Sequence, residues 1–148
     1  MKASRNRRDR LLTLIIGGSG FAGKYFLDMS RRLNPNRYIA PAHSDLDITN
    51  KHHVSEYFSN IRPRYVINFA AITNVDASEK ERDNRKGKTW LTNYVGVKNL
   101  VAASKKYHSF FIQISTDAVF PGTDDYSGPY RETDAPSRNG KGLSWYGL

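Results

Sequence analysis

Three hydroxyl groups stand where they could act on a carbonyl group. Ser115 and Thr116 follow directly after an apolar run, and Tyr146 brings a phenol about thirty residues later. Beside a nicotinamide cofactor, a phenol can donate a proton to a carbonyl oxygen while the cofactor delivers hydride to the carbon. A free tyrosine has a pKa of about 10, so proton exchange near neutrality needs a cation, commonly a lysine one helical turn later. That position lies outside the 148 residues of the sequence.

A glycine-rich turn could hold the phosphates of such a cofactor. Residues 11–23 read LLTLIIGGSGFAG, in which Gly17, Gly20 and Gly23 give the spacing GxxGxxG, and Gly18 also permits GxGxxG. The second spacing is the dinucleotide fingerprint, and the first differs from it by one position. An apolar run, then glycines, then a helical pattern predicts a strand, a tight turn and a helix whose first amides favour phosphate. A purely structural turn is the alternative.

A polar cluster follows about 20 positions beyond the glycines, where an acidic side chain usually binds the ribose hydroxyls of NAD. Asp45 lies 22 positions beyond Gly23, and His43, Ser44 and Asp47 surround it. The histidine and serine, with arginines nearby in the chain, could equally admit the 2′-phosphate of NADP. These residues do not decide between NAD and NADP, and the balance favours NADP. Both aspartates could instead cap a helix or close a turn.

Alternating apolar runs and helical patterns must position these groups. Strand-like runs are predicted over 11–16, 38–42, 65–69 and 110–114. Right-handed crossovers between such strands make a parallel sheet, and the carboxyl ends of its strands form one ligand crevice. The sequence therefore predicts a Rossmann-like, doubly wound α/β domain with a parallel sheet over 11–148.

The segments between the strands predict the helices. A first amphipathic helix of about three turns ends before Asn34, a second begins after a cap at Thr49 or Asn50, and a long third ends near Tyr107. The first helix is expected to bury the apolar residues that recur at helical spacing, namely Phe21, Tyr25, Phe26, Leu27, Met29 and Leu33.

Small and polar residues after the third strand complete the predicted crevice. Ala70 and Ala71 would let a ligand lie close to the backbone, although they could also be small for core packing. Asn93 interrupts the apolar stretch of the third helix and is expected to bond a neighbouring strand or loop. The polar stretch 73–88 is predicted as a surface loop or solvated helical turn, and 118–144 as a functional loop.

The bulk composition excludes several classes of protein. The net charge is +9, of which residues 1–10 supply +4, and the chain has no cysteine. A basic, solvated tail over 1–10 and an ordinary basic surface account for this charge, and no module typical of nucleic-acid binding accompanies it. No apolar run reaches the roughly 20 residues that span a bilayer. No metal site is expected from the histidine spacing, and the lack of cysteine fits a cytoplasmic protein.

Several motifs, in order along nearly the whole chain, resemble the dTDP-4-dehydrorhamnose reductase (RmlD-like) family of extended short-chain dehydrogenases. The most specific are ISTDAVFPGT at 114–123, GPYRETDAP at 128–136 and SWYGL at 144–148. The remaining matches are GGSGFAG at 17–23, DLDIT at 45–49, NFAAITNVDASE at 68–79 and the helix with Asn93.

The resemblance implies that the full-length protein reduces the 4-keto group of a nucleotide-activated deoxysugar with NADPH or NADH. By this resemblance Thr116 holds the keto oxygen and Tyr146 donates the proton. It also implies three groups of cofactor contacts: Gly17, Gly20, Phe21, Ala22 and Gly23 for the pyrophosphate, His43, Ser44 and Asp47 for the adenosine, and Ala70, Ala71 and Thr73 for the ribose and nicotinamide.

Three departures from the family pattern leave alternatives open. Ala118 stands where the family has a tyrosine, 83–88 reads as a small basic insertion, and the catalytic lysine and substrate domain would lie beyond Leu148. The fragment alone is therefore expected to show little turnover. A non-catalytic dinucleotide-binding regulatory subunit and a sugar-nucleotide epimerase or dehydratase are the other readings. Whether the full-length protein forms a homodimer is left open.

Overall fold

A four-stranded parallel sheet forms the centre of the protein, for which the structure is a computed structural model. It describes residues 12–123, 127–137, 140 and 142–148, so the predicted basic tail over 1–10 lies outside the described residues. The strands are β1 Thr13–Ile16, β2 Tyr38–Ile39, β3 Tyr65–Asn68 and β4 Phe110–Gln113. Their spatial order is β2-β1-β3-β4, which confirms the predicted parallel α/β sheet.

Helices connect the strands in the predicted alternation. They are α1 Phe21–Leu33, α2 Lys51–Ile61, α3 Val75–Glu79, α4 Lys88–Trp90, a π-helical segment Leu91–Gly96 and α5 Val97–Tyr107. Short 3-10 turns cover Pro35–Arg37 and Asp117–Val119. The elements α4, the π-helical segment and α5 follow one another without a break, so the predicted third helix is one long helix with a wider turn in its first half.

The strand ends differ from the predicted bounds by a few residues. β2 stops at Ile39 rather than at Ala42. Pro41 lacks the amide that a ladder requires, and the Ala42 carbonyl instead accepts the amides of Asp45 and Leu46 in a turn. The α2 cap is Asn50, whose side-chain oxygen accepts the amides of residues 52 and 53, which confirms one of the two predicted caps.

One face of the sheet carries the main core, and we call it the closed face. Leu14, Val66 and Phe111 share this face through the strand register. Helices α2 and α5 cover it with the buried side chains Val54, Phe58, Leu100 and Ala103. Burial on this face is nearly complete, since Leu14, Val66, Phe58 and Leu100 are all 0% exposed.

The opposite face, which we call the open face, is covered by α1 over β1 and, through the ring contact of Phe26 with Tyr38, over β2, whereas it is exposed at β4. Ile15 is fully buried there and lies close to Leu27 of α1 around Gly18, but Phe110 and Ile112 of β4 are 62% and 38% exposed. Helix α1 packs through Gly23, Leu27 and Ser30. The predicted apolar face of α1 is therefore largely solvent-exposed, with the highest exposures at Phe21, Tyr25, Met29 and Leu33. Of the apolar residues that helical spacing identified, Leu27 is buried and Phe26 is half-buried, whereas the other four point away from the sheet.

Candidate functional site

Two adjoining clefts lie at the carboxyl ends of the strands, as expected for a doubly wound sheet. The first encloses about 470 Å³ and extends from Gly17 to His43, Asp47 and Lys88. The second encloses about 340 Å³ and contains Thr116 and Tyr146. Ala70 lines both clefts, so the cleft of the glycine turn and the cleft of the hydroxyl groups adjoin at the end of β3 and together form the crevice of this sheet.

The glycine turn is shaped by close backbone contacts. Gly17 has φ of +74°, and a Cβ there would lie 2.6 Å from the Ala70 amide nitrogen. A Cβ on Gly23 would overlap the Gly17 carbonyl oxygen, so the start of α1 packs directly on the turn. Any side chain at either position would push α1 or β3 away from the turn. The spacing of Gly17 and Gly23 therefore has a structural reason whether or not a ligand is bound.

The amino terminus of α1 opens onto this turn without a capping side chain. Gly20 occupies the cap position, and its amide bonds the Gly17 carbonyl at 3.1 Å. No acidic residue lies in the first turn of α1. The first-turn amides of this 13-residue helix therefore retain the positive end of the helix dipole, which favours an anion.

The loop after β2 presents Asp47 to the first cleft. Leu46 and Ile48 on either side of it are 4% and 5% exposed and belong to the core, so the alternation turns Asp47 away from the core. Its carboxylate accepts the Thr49 amide at 2.9 Å and the Thr49 hydroxyl at 2.8 Å. Asn99 of α5 fixes the loop by donating to the carbonyl of Ile48 at 2.9 Å and of Thr49 at 3.2 Å.

The same hydrogen bonds govern the ionisation of Asp47. Partial burial would raise its pKa, but the bonds from the Thr49 hydroxyl and amide, with the nearby His43 and His53, lower it below the usual value. The imidazole of His53 accepts the Asp47 amide through Nδ1 at 3.3 Å. Asp47 is thus a carboxylate at neutral pH, and it already makes the turn contacts that the sequence offered as its alternative role.

The end of β3 is held by a buried polar network. Asn68 is 0% exposed and donates to the Gln113 side-chain oxygen at 2.9 Å, while its own oxygen accepts the Ala70 amide at 3.0 Å. Asn93 forms a reciprocal pair with Ile72, accepting its amide at 2.8 Å and donating to its carbonyl at 3.0 Å. This pair confirms the bond predicted for Asn93, and it shapes the segment that carries Ala71 and Thr73.

The residues predicted for chemistry meet at the second cleft. Thr116 caps the short 3-10 turn, with its hydroxyl accepting the Ala118 amide at 3.2 Å and lying 3.2 Å from the Asp117 carboxylate. Tyr146 lies in a turn whose Gly147 packs on the Ala118 carbonyl so closely that a Cβ would overlap it. This contact brings two segments that are distant in the chain to the same cleft.

The structure brings most of the predicted site residues to the crevice. Gly17, His43, Asp47 and Ala70 line the first cleft. Ala22, Ala70, Ala71, Thr73, Thr116 and Tyr146 line the second. The other predicted residues lie outside both linings: Gly20 and Phe21 at the exposed start of α1, Gly23 buried beneath it, and Ser44 exposed beside Asp45.

Sequence reasoning missed several residues of the crevice. Lys88 reaches the first cleft from the start of α4, although the sequence offered it only as one charge in a mixed polar stretch. Trp90 and Trp145 line the second cleft and stack at 5.3 Å with an interplanar angle of 20°. Their separation in the chain gave no local signal, and only the fold brings them together.

Two further findings bear on the class of site. Among the described residues, no group of three or more histidine, cysteine, aspartate or glutamate side chains could hold a metal ion. Within the same part of the chain, no helix is long and apolar enough to cross a membrane.

Known proteins resemble this chain in both sequence and fold. A sequence model of the family described as RmlD substrate binding domain matches residues 11–147. The dTDP-4-dehydrorhamnose reductase of Aggregatibacter actinomycetemcomitans is 35% identical over 82% of this chain and 39% of that protein. The spore coat polysaccharide biosynthesis protein SpsK of Bacillus subtilis (strain 168) is 34% identical over 78% of this chain and 40% of its own length.

The comparison with solved structures agrees with the sequence matches. The dTDP-4-dehydrorhamnose reductase from Bacillus anthracis str. Ames, solved in complex with NADP, superposes with a TM-score of 0.76 at 32% identity. The match covers 93% of this chain and 45% of that one. The chain thus spans about two fifths of the length of the curated relatives it matches. On the family match over 11–147, the chain belongs to the RmlD substrate binding domain family.

Proposed function

We propose that this chain forms the cofactor-binding part of an NADPH-dependent reductase that acts on the 4-keto group of a nucleotide-activated deoxysugar. The observation that carries the proposal is the pair of adjoining clefts, in which Ala70 lines both the cleft of the glycine turn and the cleft with Thr116 and Tyr146. The reductases among the relatives, one of them bound to NADP, support this reading.

The residues of the first cleft fit a dinucleotide. The backbone of the Gly17 turn packs against the Ala70 amide at the edge of this cleft, and the uncapped amides of α1 favour the charge of a pyrophosphate. His43 and Lys88 add donors at the same cleft, and Asp47 adds an acceptor for hydroxyl groups. When bound, the cofactor supplies hydride to the carbonyl carbon.

The residues of the second cleft fit proton transfer to the substrate. Tyr146 is half-buried there, and its phenol is the group that donates a proton to the carbonyl oxygen as negative charge develops. Thr116 can orient that oxygen with its hydroxyl, which in this structure lies 3.2 Å from the Asp117 carboxylate. The small side chains of Ala70 and Ala71 leave space in the cleft, so that the two reacting groups can lie close together.

Preference for NADPH over NADH also belongs to the proposal. A 2′-phosphate needs positive or hydrogen-bonding groups near the adenosine ribose, and His43, Ser44 and Lys88 are the groups available at or beside the first cleft. Asp47 is a carboxylate and would oppose a phosphate placed next to it, so the proposed preference rests on His43, Ser44 and Lys88.

Fluorescence titration tests the cofactor part of the proposal. The two tryptophans of the chain line the second cleft, so bound NADPH should quench their emission saturably and at lower concentration than NADH does. Ser19→Glu places a like charge beside the phosphates and should weaken NADPH binding about tenfold, which is about 1.4 kcal/mol. Asn36→Glu makes the same charge change on an exposed turn outside both clefts and should leave binding unchanged. A folded chain that shows no saturable quenching would refute the proposal.

A non-catalytic dinucleotide-binding subunit is the second candidate. It is favoured by the Thr116 hydroxyl, which already caps the 3-10 turn and lies beside Asp117. The two candidates differ in one measurement on the full-length protein: a reductase consumes NADPH when a 4-keto nucleotide sugar is added, whereas a binding subunit retains the NADPH unchanged.

Location and assembly complete the proposal. We propose a cytoplasmic enzyme, supported by the absence of cysteine from the sequence and by a crevice suited to a soluble cofactor. A homodimer of the full-length protein stays an open prediction, which size-exclusion chromatography with light scattering would test.

A further inference from the structure

We propose that Glu79 and Arg82 form a clamp that positions the turn carrying Tyr146 at the second cleft. The inference rests on the proposed function only for the role of Tyr146, because the contacts of the clamp are observed independently of any ligand. Glu79 ends α3, and Arg82 follows it in the next turn, about sixty residues before Tyr146 in the chain.

The turn that the clamp holds, residues 144–148, has the hydrogen bonding of a helical turn. The Leu148 amide bonds the Ser144 carbonyl at 3.2 Å, in the spacing of an α-helix. The Ser144 hydroxyl accepts the Gly147 amide at 3.2 Å, as an N-cap serine does. The amides before Gly147 remain for a partner outside the turn, and one of them belongs to Trp145, the neighbour of Tyr146.

The clamp supplies that partner. Arg82 binds Glu79 in a two-pronged ion pair, with Nε 2.8 Å from one carboxylate oxygen and Nη2 2.9 Å from the other. The Trp145 amide donates to the Glu79 carboxylate, and Arg82 Nη2 donates to the Leu143 carbonyl at 3.0 Å. The pair therefore binds one donor and one acceptor of the same turn, which fixes both its position and its direction.

Stacked aromatic rings hold the other side of the turn. Trp145 is 6% exposed and stacks on Trp90, which in turn stacks on Tyr94 at 4.4 Å. Arg85 lies over the Trp90 ring at 5.2 Å. Among the described residues the Trp145 indole nitrogen has no hydrogen-bond partner, so ring packing rather than a hydrogen bond holds this side chain.

These contacts restrain the backbone on both sides of Tyr146. Its preceding residue is bound to Glu79 and Trp90, and its following residue packs on Ala118. A small displacement of a reacting group can lower the rate of reaction many-fold. A turn with unrestrained ends would therefore hold a proton donor poorly. The clamp thus sets where the phenol stands, while touching neither cofactor nor substrate.

The tryptophan pair gives a direct test, because Trp90 and Trp145 are the two tryptophans of the chain. Stacked indoles produce a coupled circular dichroism signal, which Trp145→Phe should abolish as a reference. Glu79→Ala and Arg82→Met should each reduce that signal and raise acrylamide quenching of indole emission about threefold, because local opening exposes Trp145. Glu79→Gln keeps an acceptor for the Trp145 amide and should retain more of the signal. Glu56→Ala, at an exposed position of α2, is the control and should change neither quantity.

Cofactor binding separates this inference from the proposed function. The clamp variants should bind NADPH within a factor of about two of the parent, because they lie outside the first cleft. In the full-length protein they should lower kcat far more than they raise KM for NADPH. An unchanged indole signal in both Glu79→Ala and Arg82→Met would overturn the clamp. A parent chain that fails to bind NADPH would instead overturn the proposed function and leave the indole result standing.

Discussion

The closed and open faces of the sheet show how differently the same strands can be covered. In β3 and β4, alternate residues enter the two faces, yet Val66 is fully buried while Phe110 is 62% exposed. The closed face has two helices and the loop residues Leu46 and Ile48 over it, whereas the open face has α1 over β1 and β2 and no helix over β4 among the described residues. Stability therefore depends mainly on the closed face, and the proposed cofactor cleft lies at the strand ends that this face supports.

The largest expected difference is between two phenylalanines. Phe58→Ala removes a fully buried ring from the closed face and should lower the free energy of unfolding by about 3–5 kcal/mol. Phe110→Ala on the open face should cost less than about 1 kcal/mol, because most of that ring already contacts water. Urea unfolding followed by circular dichroism measures both variants, and equal costs would contradict the distinction between the faces.

The second largest effect is expected from substituting a buried polar side chain of the closed face. Asn68→Ala leaves the Ala70 amide and the Gln113 side chain without their partner, and should cost about 1–3 kcal/mol. The same change should weaken NADPH binding, since Ala70 lines both clefts. Thermal unfolding and fluorescence titration test these two effects together. Asn60→Ala, at an exposed position of α2, is the matched control, and a loss as large there would show that Asn68 has no special role.

A polar substitution on the open face should affect association more than stability. Ile112→Thr keeps a β-branched side chain in β4 while reducing the exposed apolar area next to Phe110. We expect less dye binding by the apolar probe ANS and less aggregation on concentration, with a change in unfolding free energy of about 0.5 kcal/mol or less. Undiminished aggregation would mean that the self-association of the chain arises from another surface.

The smallest effect concerns Asp47 and appears in acid. Its pKa is lowered in the folded chain, so its bonds with Thr49 stabilise the fold above the unfolded pKa and are lost as pH falls through the folded pKa. Asp47→Asn should therefore flatten the decline of stability below about pH 4 and change little at neutral pH. Unfolding midpoints measured across this range test it, and parallel curves for the two proteins would exclude a contribution from Asp47.

Local patterns predicted the elements well and their packing less well. The glycine turn, the Asn50 cap and the role of Asn93 each follow from a few neighbouring residues, and the structure agrees. The exposure of Phe21 was not predictable in this way, because helical spacing identifies an apolar stripe without stating which side meets the sheet.

The candidate site shows the same difference between what local patterns predict and what depends on packing. Gly17 and Tyr146 were found from their types and from motifs, whereas Lys88 and the contact of Arg82 with Leu143 depend on the path of the chain in three dimensions. The π-helical segment was also missed, since its residues have ordinary helical character and the wider turn appears only with the packing around them.

The contact between Gly17 and Ala70 has a consequence for protein engineering. The Ala70 amide occupies the space where a side chain on Gly17 would begin, so the turn after β1 and the end of β3 fit each other as one unit. A chimera that received the glycine turn alone would meet a foreign strand end at this point. Transplanting the glycine turn into another sheet therefore requires moving residues 17–23 together with Phe69 and Ala70.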